Sequence, residues 1–151
     1  VKRVEKIDDH SGIVLTNGVF DILHKGHIEL LKFSKNQGDK LIVAIDSDER
    51  VRQLKGEDRP INNEEDRRKV LETNRYVDSV VTFNSSEELK TLYETLCPDV
   101  VVKGSEWTAD ELRERDEIPD TIQVKVYPLV GDYSTTNTME KIRNMGSCEK
   151  I

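Results

Sequence analysis

Residues Thr16–Lys35 read TNGVFDILHKGHIELLKFSK. The apolar, β-branched run GIVLTN (Gly12–Asn17) leads into this stretch, and the run IELLKFSKNQ leads out of it. The first suits a buried strand, whereas the second repeats its apolar residues at helical spacing. Between them stand His24-Lys25-Gly26-His27, two of the chain's three histidines around a glycine. A strand handing over to a helix here leaves free N–H groups and the positive end of the helix dipole facing outward. Gly26 has no side chain, so an anion can approach that backbone closely. His24 and His27 would converge on the same oxygens, an arrangement suited to stabilising charge on a phosphoryl group. A coincidental turn with two surface histidines is the plainer alternative, and the flanking strand and helix weigh against it.

The same alternation continues along the chain. KLIVAID (Lys40–Asp46), DSVVTF (Asp78–Phe83), DVVVKG (Asp99–Gly104) and IQVKVYPL (Ile122–Leu129) read as four further strands. Their near-continuous apolar character suits strands covered on both faces. Helix starts are expected where Asn62 precedes Glu65, Ser85 precedes Glu88 and Thr108 precedes Glu111, each pair fitting a capping box. Gly38 falls where a left-handed helix stop is expected. Strand–helix alternation implies a parallel sheet with right-handed crossovers. The fold class predicted is therefore α/β: one doubly wound, Rossmann-like domain with a five-stranded parallel sheet. Ligands of such sheets bind beyond the carboxyl ends of the strands, near the point where strand order reverses, and His24–His27 fall there.

Composition narrows the partners. A chain of 151 residues, 35% charged with a formal net charge of −7, suits one soluble domain. That balance argues against wholesale binding to nucleic acid or an anionic membrane, while leaving room for a local basic pocket. No apolar run approaches the roughly 20 residues that span a bilayer, and no signal peptide is evident. Cys97 and Cys148 have no metal-like spacing, so reduced thiols and a cytoplasmic setting are expected. Residues 1–11 are expected to be an extension or the end of a linker. The opening Val1 leaves an upstream domain open.

The HxGH segment resembles the signature of the nucleotidyltransferase superfamily, and TNGVFDILHKGHIELL is similar to its cytidylyltransferase-like branch. AIDSDERVRQLKGEDRPIN (Ala44–Asn62), VVKG (Val101–Gly104) and YSTTN (Tyr133–Asn137) follow in order. Together these blocks resemble the adenylyltransferase domain that activates a heptose 1-phosphate for bacterial surface-sugar synthesis. The resemblance spans roughly Gly12 to Arg143 and makes residues 12–151 the nucleotidyltransferase domain. It implies transfer of a nucleoside monophosphate, AMP by preference, from an NTP to a phosphorylated sugar or polyol. It also implies Mg2+ carried mainly on the nucleotide phosphates, with no protein metal site, and a homodimer. A glycerol-3-phosphate-type cytidylyltransferase using CTP is the alternative enzyme. A non-catalytic nucleotide-binding sensor is the alternative from another class.

Residue by residue, the resemblance makes His24, His27, Lys55 and Arg67 catalytic. Lys55 is read on a glycine-flanked loop and Arg67 within the next helix, both contacting phosphates. Elsewhere in this run a solvated charged face is the ordinary reading, and Arg59-Pro60 is expected to shape the loop. Thr16, Asn17, Gly18, Val19, Phe20 and Gly26 would surround the triphosphate, although Asn-Gly is also plain turn chemistry. Ser134, Thr135 and Thr136 would hold phosphates as well as cap the last helix. Lys103 and Gly104 end the fourth strand and point toward the same cleft. Asp21, Asp48 and Trp107 are assigned to the acceptor, with simple packing an equal alternative for Trp107. Asp46 or Asp48 is expected to cap the helix after the second strand. Val130-Gly131-Asp132 stand where cytidylyltransferases usually carry an arginine and a glutamate, and Val19 where many have threonine; both departures favour ATP. Cys97 is expected to end a helix and enter the core.

Overall fold

The computed structural model describes residues 12–128 and 134–146. Five strands, β1 (Ile13–Gly18), β2 (Lys40–Asp46), β3 (Ser79–Phe83), β4 (Val100–Gly104) and β5 (Gln123–Tyr127), form one parallel sheet in the order β3-β2-β1-β4-β5. Six helices connect or follow them: α1 (Lys25–Lys35), α2 (Asp48–Lys55), α3 (Glu64–Glu72), α4 (Ser86–Leu96), α5 (Ala109–Arg115) and α6 (Thr135–Gly146). The expected α/β sheet is what the chain forms, each strand displaced by at most two residues at an end.

β1 occupies the centre because both its faces are apolar. In register, Leu15 pairs with Ile42 on β2 and with Val101 on β4, and Thr16 with Val43 and Val102. Alternate residues then serve opposite layers. Val14 joins Leu30, Leu31 and Leu71 beneath α1 and α3, whereas Leu15 joins Leu89, Tyr93 and Ile118 on the α4 side. Val14 and Leu15 are 0% and 1% exposed, burial worth about 1.5–3 kcal/mol for each such side chain. The chain leaves β1 toward β2 and later places β4 on its other side. The crevice between β1 and β4 is therefore the switch point, at the end where Asn17 and Lys103 sit.

Local signals are satisfied with some differences. Thr108 and Glu111 form the full reciprocal box at α5, and Ser85 caps α4 through the Glu88 amide. Asn63, not Asn62, caps α3, because Asn62 is held by Asp21. Ser47, rather than Asp46 or Asp48, caps α2; Asp46 instead accepts from Arg50 Nε at 2.8 Å. Helix α1 ends on Asn36 in right-handed geometry, so Gly38 is not a left-handed stop. Gly38 is needed for closeness: a Cβ there would lie far inside contact distance of the Gly12 carbonyl oxygen. Cys97 ends α4 in left-handed geometry, φ 45°, but is exposed, since the turn faces solvent. Among the described residues no helix is long and apolar enough to cross a membrane. The readings of residues 1–11, Val130-Gly131-Asp132 and Cys148 fall outside the described residues.

Candidate active site

Helix α1 begins on a pair of imidazoles that cap each other. His24, extended at φ −132° and ψ 177°, is the N-cap; its Nδ1 accepts the His27 amide at 3.3 Å. His27 Nδ1 in turn accepts the His24 amide at 3.2 Å. This is the reciprocal box usually made by serine and glutamate. With both Nδ1 atoms accepting, the proton of each neutral ring sits on Nε2. The rings stack with centroids 3.7 Å apart and planes 23° from parallel. Burial pushes the His27 pKa down to about 4, the His24 charge adds to this, and Asp21 partly opposes it. His24 is also lowered by burial. At neutral pH the pair is uncharged and presents Nε2–H donors, which suits hydrogen bonding to an anion.

The loop between β1 and α1 backs this pair. Phe20 is 4% exposed and packs against the His27 ring at 5.2 Å. Phe20 and Ile22 take φ values of 54° and 52°, in the left-handed region that L side chains seldom adopt. Such backbone persists only where its surroundings fix it, and it concentrates at functional sites. Asp21 supplies part of that fixing. Its buried carboxylate accepts from the Ile61 amide at 2.6 Å and from the Asn62 amide at 3.0 Å.

A cavity of about 280 Å³ opens in front of the histidines. It gathers Phe20, Asp21, His24 and His27 with Lys55, Arg59 and Ser134, Thr135 and Thr136. Lys55 is the last residue of α2 rather than a loop residue, so its stem is placed by a helix. Ser134 Oγ accepts the Asn137 amide at 2.9 Å, and the Thr135 hydroxyl donates to the Asp21 carbonyl. Those bonds fix the start of α6 against the loop before α1. Two helix starts and two cations therefore border one cavity, the ordinary physics of an oxyanion site.

Arg59 is the residue that sequence reasoning assigned elsewhere. Its Nη1 reaches Thr136 Oγ1 at 3.5 Å across 77 positions of sequence, and its Nε is buried without a partner among the described residues. The signal was a cation four residues after Lys55, but no local pattern says that its side chain crosses to α6.

Several predicted residues lie elsewhere. Arg67 is 1% exposed and donates to the carbonyls of Asn62, Val19 and Asp46 and to the Asp48 carboxylate at 2.8–3.0 Å. It braces the loop after β1 from beneath, and contact with a triphosphate would require those bonds to break. Asp48 is spent on Arg67, as Asp21 is on residues 61 and 62. Thr16 is fully buried and donates to the Val102 carbonyl at 2.9 Å, tying β1 to β4. Asn17 Oδ1 accepts from Lys103 Nζ at 2.5 Å, and Lys103 pairs with Asp116 at 3.0 Å. Trp107 is 47% exposed with the Arg115 guanidinium 4.7 Å above its ring. Gly18 sits so close to Phe20 that an added Cβ would meet the ring at 3.0 Å. Gly26 lies in the first turn of α1, and Gly104 ends β4 exposed. Among the described residues no group of three or more His, Cys, Asp or Glu side chains could hold a metal ion.

Comparison with known proteins gives the chain's family. The family model described as cytidylyltransferase-like matches residues 15–144. Bifunctional protein HldE from Koribacter versatilis is 45% identical over 130 residues, covering 85% of this chain and 26% of that protein. The HldE of Campylobacter fetus is 42% identical over 137 residues, covering 89% of this chain and 29% of that protein. The chain thus spans little more than a quarter of these curated relatives. Among solved structures, the lipopolysaccharide core biosynthesis protein of Thermoplasma volcanium superposes with a TM-score of 0.63 at 32% identity. That match covers 81% of this chain and 98% of the other. TmcAL of Thermotoga maritima, bound with alpha-thio ATP, shares the fold at a TM-score of 0.61 and 11% identity, covering 89% of this chain and 50% of that one. With the histidine-capped helix start, the cavity before it and a family match over most of its length, the chain belongs to the cytidylyltransferase-like family and is a nucleotidyltransferase.

Proposed function

We propose that this protein transfers AMP from ATP to a sugar phosphate such as a heptose 1-phosphate, releasing pyrophosphate. The convergence of His24, His27, Lys55, Arg59 and the start of α6 on one cavity carries this reading. An oxygen of the acceptor phosphate attacks the α-phosphorus. One P–O bond forms, the bond to the β-phosphate bridging oxygen breaks, and pyrophosphate leaves with that electron pair. Such a displacement needs alignment and charge neutralisation rather than a protein nucleophile. The Nε2–H groups of His24 and His27 stabilise the oxygens around the reacting phosphorus. Lys55, Arg59 and the hydroxyls of Ser134, Thr135 and Thr136 hold the remaining phosphates. Thr16, Gly18, Val19, Phe20, Gly26 and Gly104 shape the backbone around the nucleotide. Arg67 is a positioning residue, keeping the Val19 carbonyl and the Asp48 carboxylate in place. The carboxylates of Asp21 and Asp48 are already occupied, so Mg2+ enters on the nucleotide phosphates as part of the substrate. A sugar acceptor is supported by the resemblance of the four motif blocks and by the lipopolysaccharide core biosynthesis protein among the relatives. We further propose a cytoplasmic homodimer; Ile142 and Met145, 59% and 64% exposed one turn apart on α6, support a covered face there.

The test is a pyrophosphate-release screen of four NTPs against sugar and polyol phosphates. The expected result is turnover with a sugar phosphate and a higher kcat/KM for ATP than for CTP. A preference for CTP with a polyol phosphate would move the protein to the glycerol-3-phosphate type. Nucleotide binding with no release from any pair would leave a sensor.

A further inference from the structure

Gly18, the last residue of β1, lies so close to Phe20 that a Cβ added there would stand 3.0 Å from the Phe20 ring. Interiors are close-packed, so a side chain at position 18 would have to move that ring. The ring in turn meets the His27 imidazole, with centroids 5.2 Å apart and planes inclined by 46°. His27 then stacks on His24 at 3.7 Å. Three rings from the loop and the start of α1 thus form a chain of contacts that begins on the backbone of the central strand.

Core packing alone does not account for Phe20. Its ring is 4% exposed and joins Val14, Leu30 and Leu71 in the core, which another large apolar side chain could also do. Its backbone, however, sits at φ 54°, a region that glycine or asparagine enters at less cost. Strained backbone of this kind is kept where the surroundings hold it for a purpose. His27 supplies the purpose. Among the described residues its ring accepts one hydrogen bond, from the His24 amide at 3.2 Å, and one bond leaves the ring able to swing. A hydrogen bond weakens steeply as its angle closes, so a swung ring would donate poorly to an anion through Nε2–H. Phe20 packed against the imidazole limits that swing and excludes water from it. Burial is the largest cause of the low His27 pKa, ahead of the His24 charge.

We propose that Phe20 is a positioning residue for the reaction: its ring sets the orientation of the His27 imidazole, and Gly18 clears the space that ring needs. The proposal rests on the nucleotidyl-transfer reading and gives both residues a role besides shaping the backbone around the nucleotide. Phe20 acts through His27, since its own side chain offers no polar atom to a phosphate. The other titratable groups bordering the cavity are Asp21, His24, Lys55 and Arg59, and the substitutions below leave all four in place.

The experiment uses the full chain, isotopically labelled in its histidine rings, and follows the ring nitrogens by NMR against pH without nucleotide. In the parent, His27 should hold its proton on Nε2 and titrate at about 4. Phe20→Leu keeps an apolar side chain but loses the flat ring. Water then reaches His27, the charged form is favoured, and the titration should move up by about one pH unit. Gly18→Ala, which presses on the Phe20 ring, should move it the same way by less. That variant carries the test alone if Phe20→Leu does not keep a dispersed spectrum. In pyrophosphate release, kcat of Phe20→Leu should fall by roughly tenfold, and the acid limb of its pH profile should rise together with the His27 titration. Unchanged His27 signals in both variants would overturn the proposal and leave Phe20 as core packing. So would a loss of turnover with the His27 titration unmoved, since Gly18 and Phe20 would then act on the nucleotide directly. Absence of pyrophosphate release by the parent with every substrate pair would instead count against the nucleotidyl-transfer reading. The nucleotide-free titration would still decide whether Phe20 places His27.

Discussion

His24 and His27 cap the start of α1 through Nδ1, and both residues line the cavity. The two roles can be separated by substitution. Asparagine is a good N-cap but offers no donor at the Nε2 position. His24→Asn should therefore unfold within about 0.5 kcal/mol of the parent, while turnover falls by about 100-fold or more. His24→Ala should lose the same turnover and about 1 kcal/mol of stability as well. Pyrophosphate release and chemical denaturation read the two effects, and near-normal kcat in both variants would remove His24 from the mechanism. The rings also set a pH dependence. His27 has a folded pKa of about 4, below the ordinary value of 6.5, so the unfolded chain takes up its proton first. The associated stability is complete above about pH 6.5 and declines as pH falls toward about 4, by up to about 3 kcal/mol. The stability difference between the parent and His27→Gln should narrow or reverse across that window. A constant difference would mean that His27 is not held neutral.

Helix α3 is placed in part by a buried charge. Arg67 reaches from α3 to the end of β2, to the start of α2 and to the loop after β1 through buried hydrogen bonds. Removing a buried cation leaves Asp48 and the carbonyls without partners, whereas an apolar side chain of similar length still fills the space. Arg67→Met should cost about 3–5 kcal/mol of unfolding free energy, measured by urea denaturation. It should lower kcat indirectly, by loosening the Val19 carbonyl. Arg67→Met with unchanged stability and a defect confined to nucleotide KM would return Arg67 to direct phosphate contact. Helix α1 buries Leu30 and Leu31 in the core, its first turn faces the cavity, and its last residue, Lys35, pairs with Asp78 at 2.6 Å at the surface.

At the scale of the molecule, the cavity before the histidines exists only because distant segments meet. Lys55 comes from the end of α2, Arg59 from the following loop, and Ser134, Thr135 and Thr136 from the start of the last helix. Lys55→Ala and Arg59→Ala should each remove charge-assisted contacts of about 1.5–3 kcal/mol, hence roughly 10- to 150-fold in kcat/KM for the nucleotide. Direct binding of the acceptor without nucleotide should change little. Steady-state kinetics with the best acceptor from the screen, together with calorimetry, would check both. Unaltered nucleotide kinetics would place that cation on the solvated surface.

The sequence by itself determined the strands, their parallel arrangement and the position of the histidine pair. Those properties follow from local periodicity and from a β-branched run meeting a helix start, and both are written in neighbouring residues. It also pointed to Lys55 and to the hydroxyls of α6, through motif blocks resembling a family. Only the tertiary structure decided how the charged residues are used. Arg67, Asp21 and Asp48 look like ligand-binding charges in one dimension, yet they are paired within the protein. Arg59 looks like a loop former, yet it reaches the cavity. The physical reason is that a charged side chain's role depends on what it faces after burial. Its partners come from distant segments, 86 positions away for Lys103 and Asn17 and 88 for Lys125 and Gln37. Periodicity fixes which face a residue takes, but not which distant charge lies opposite.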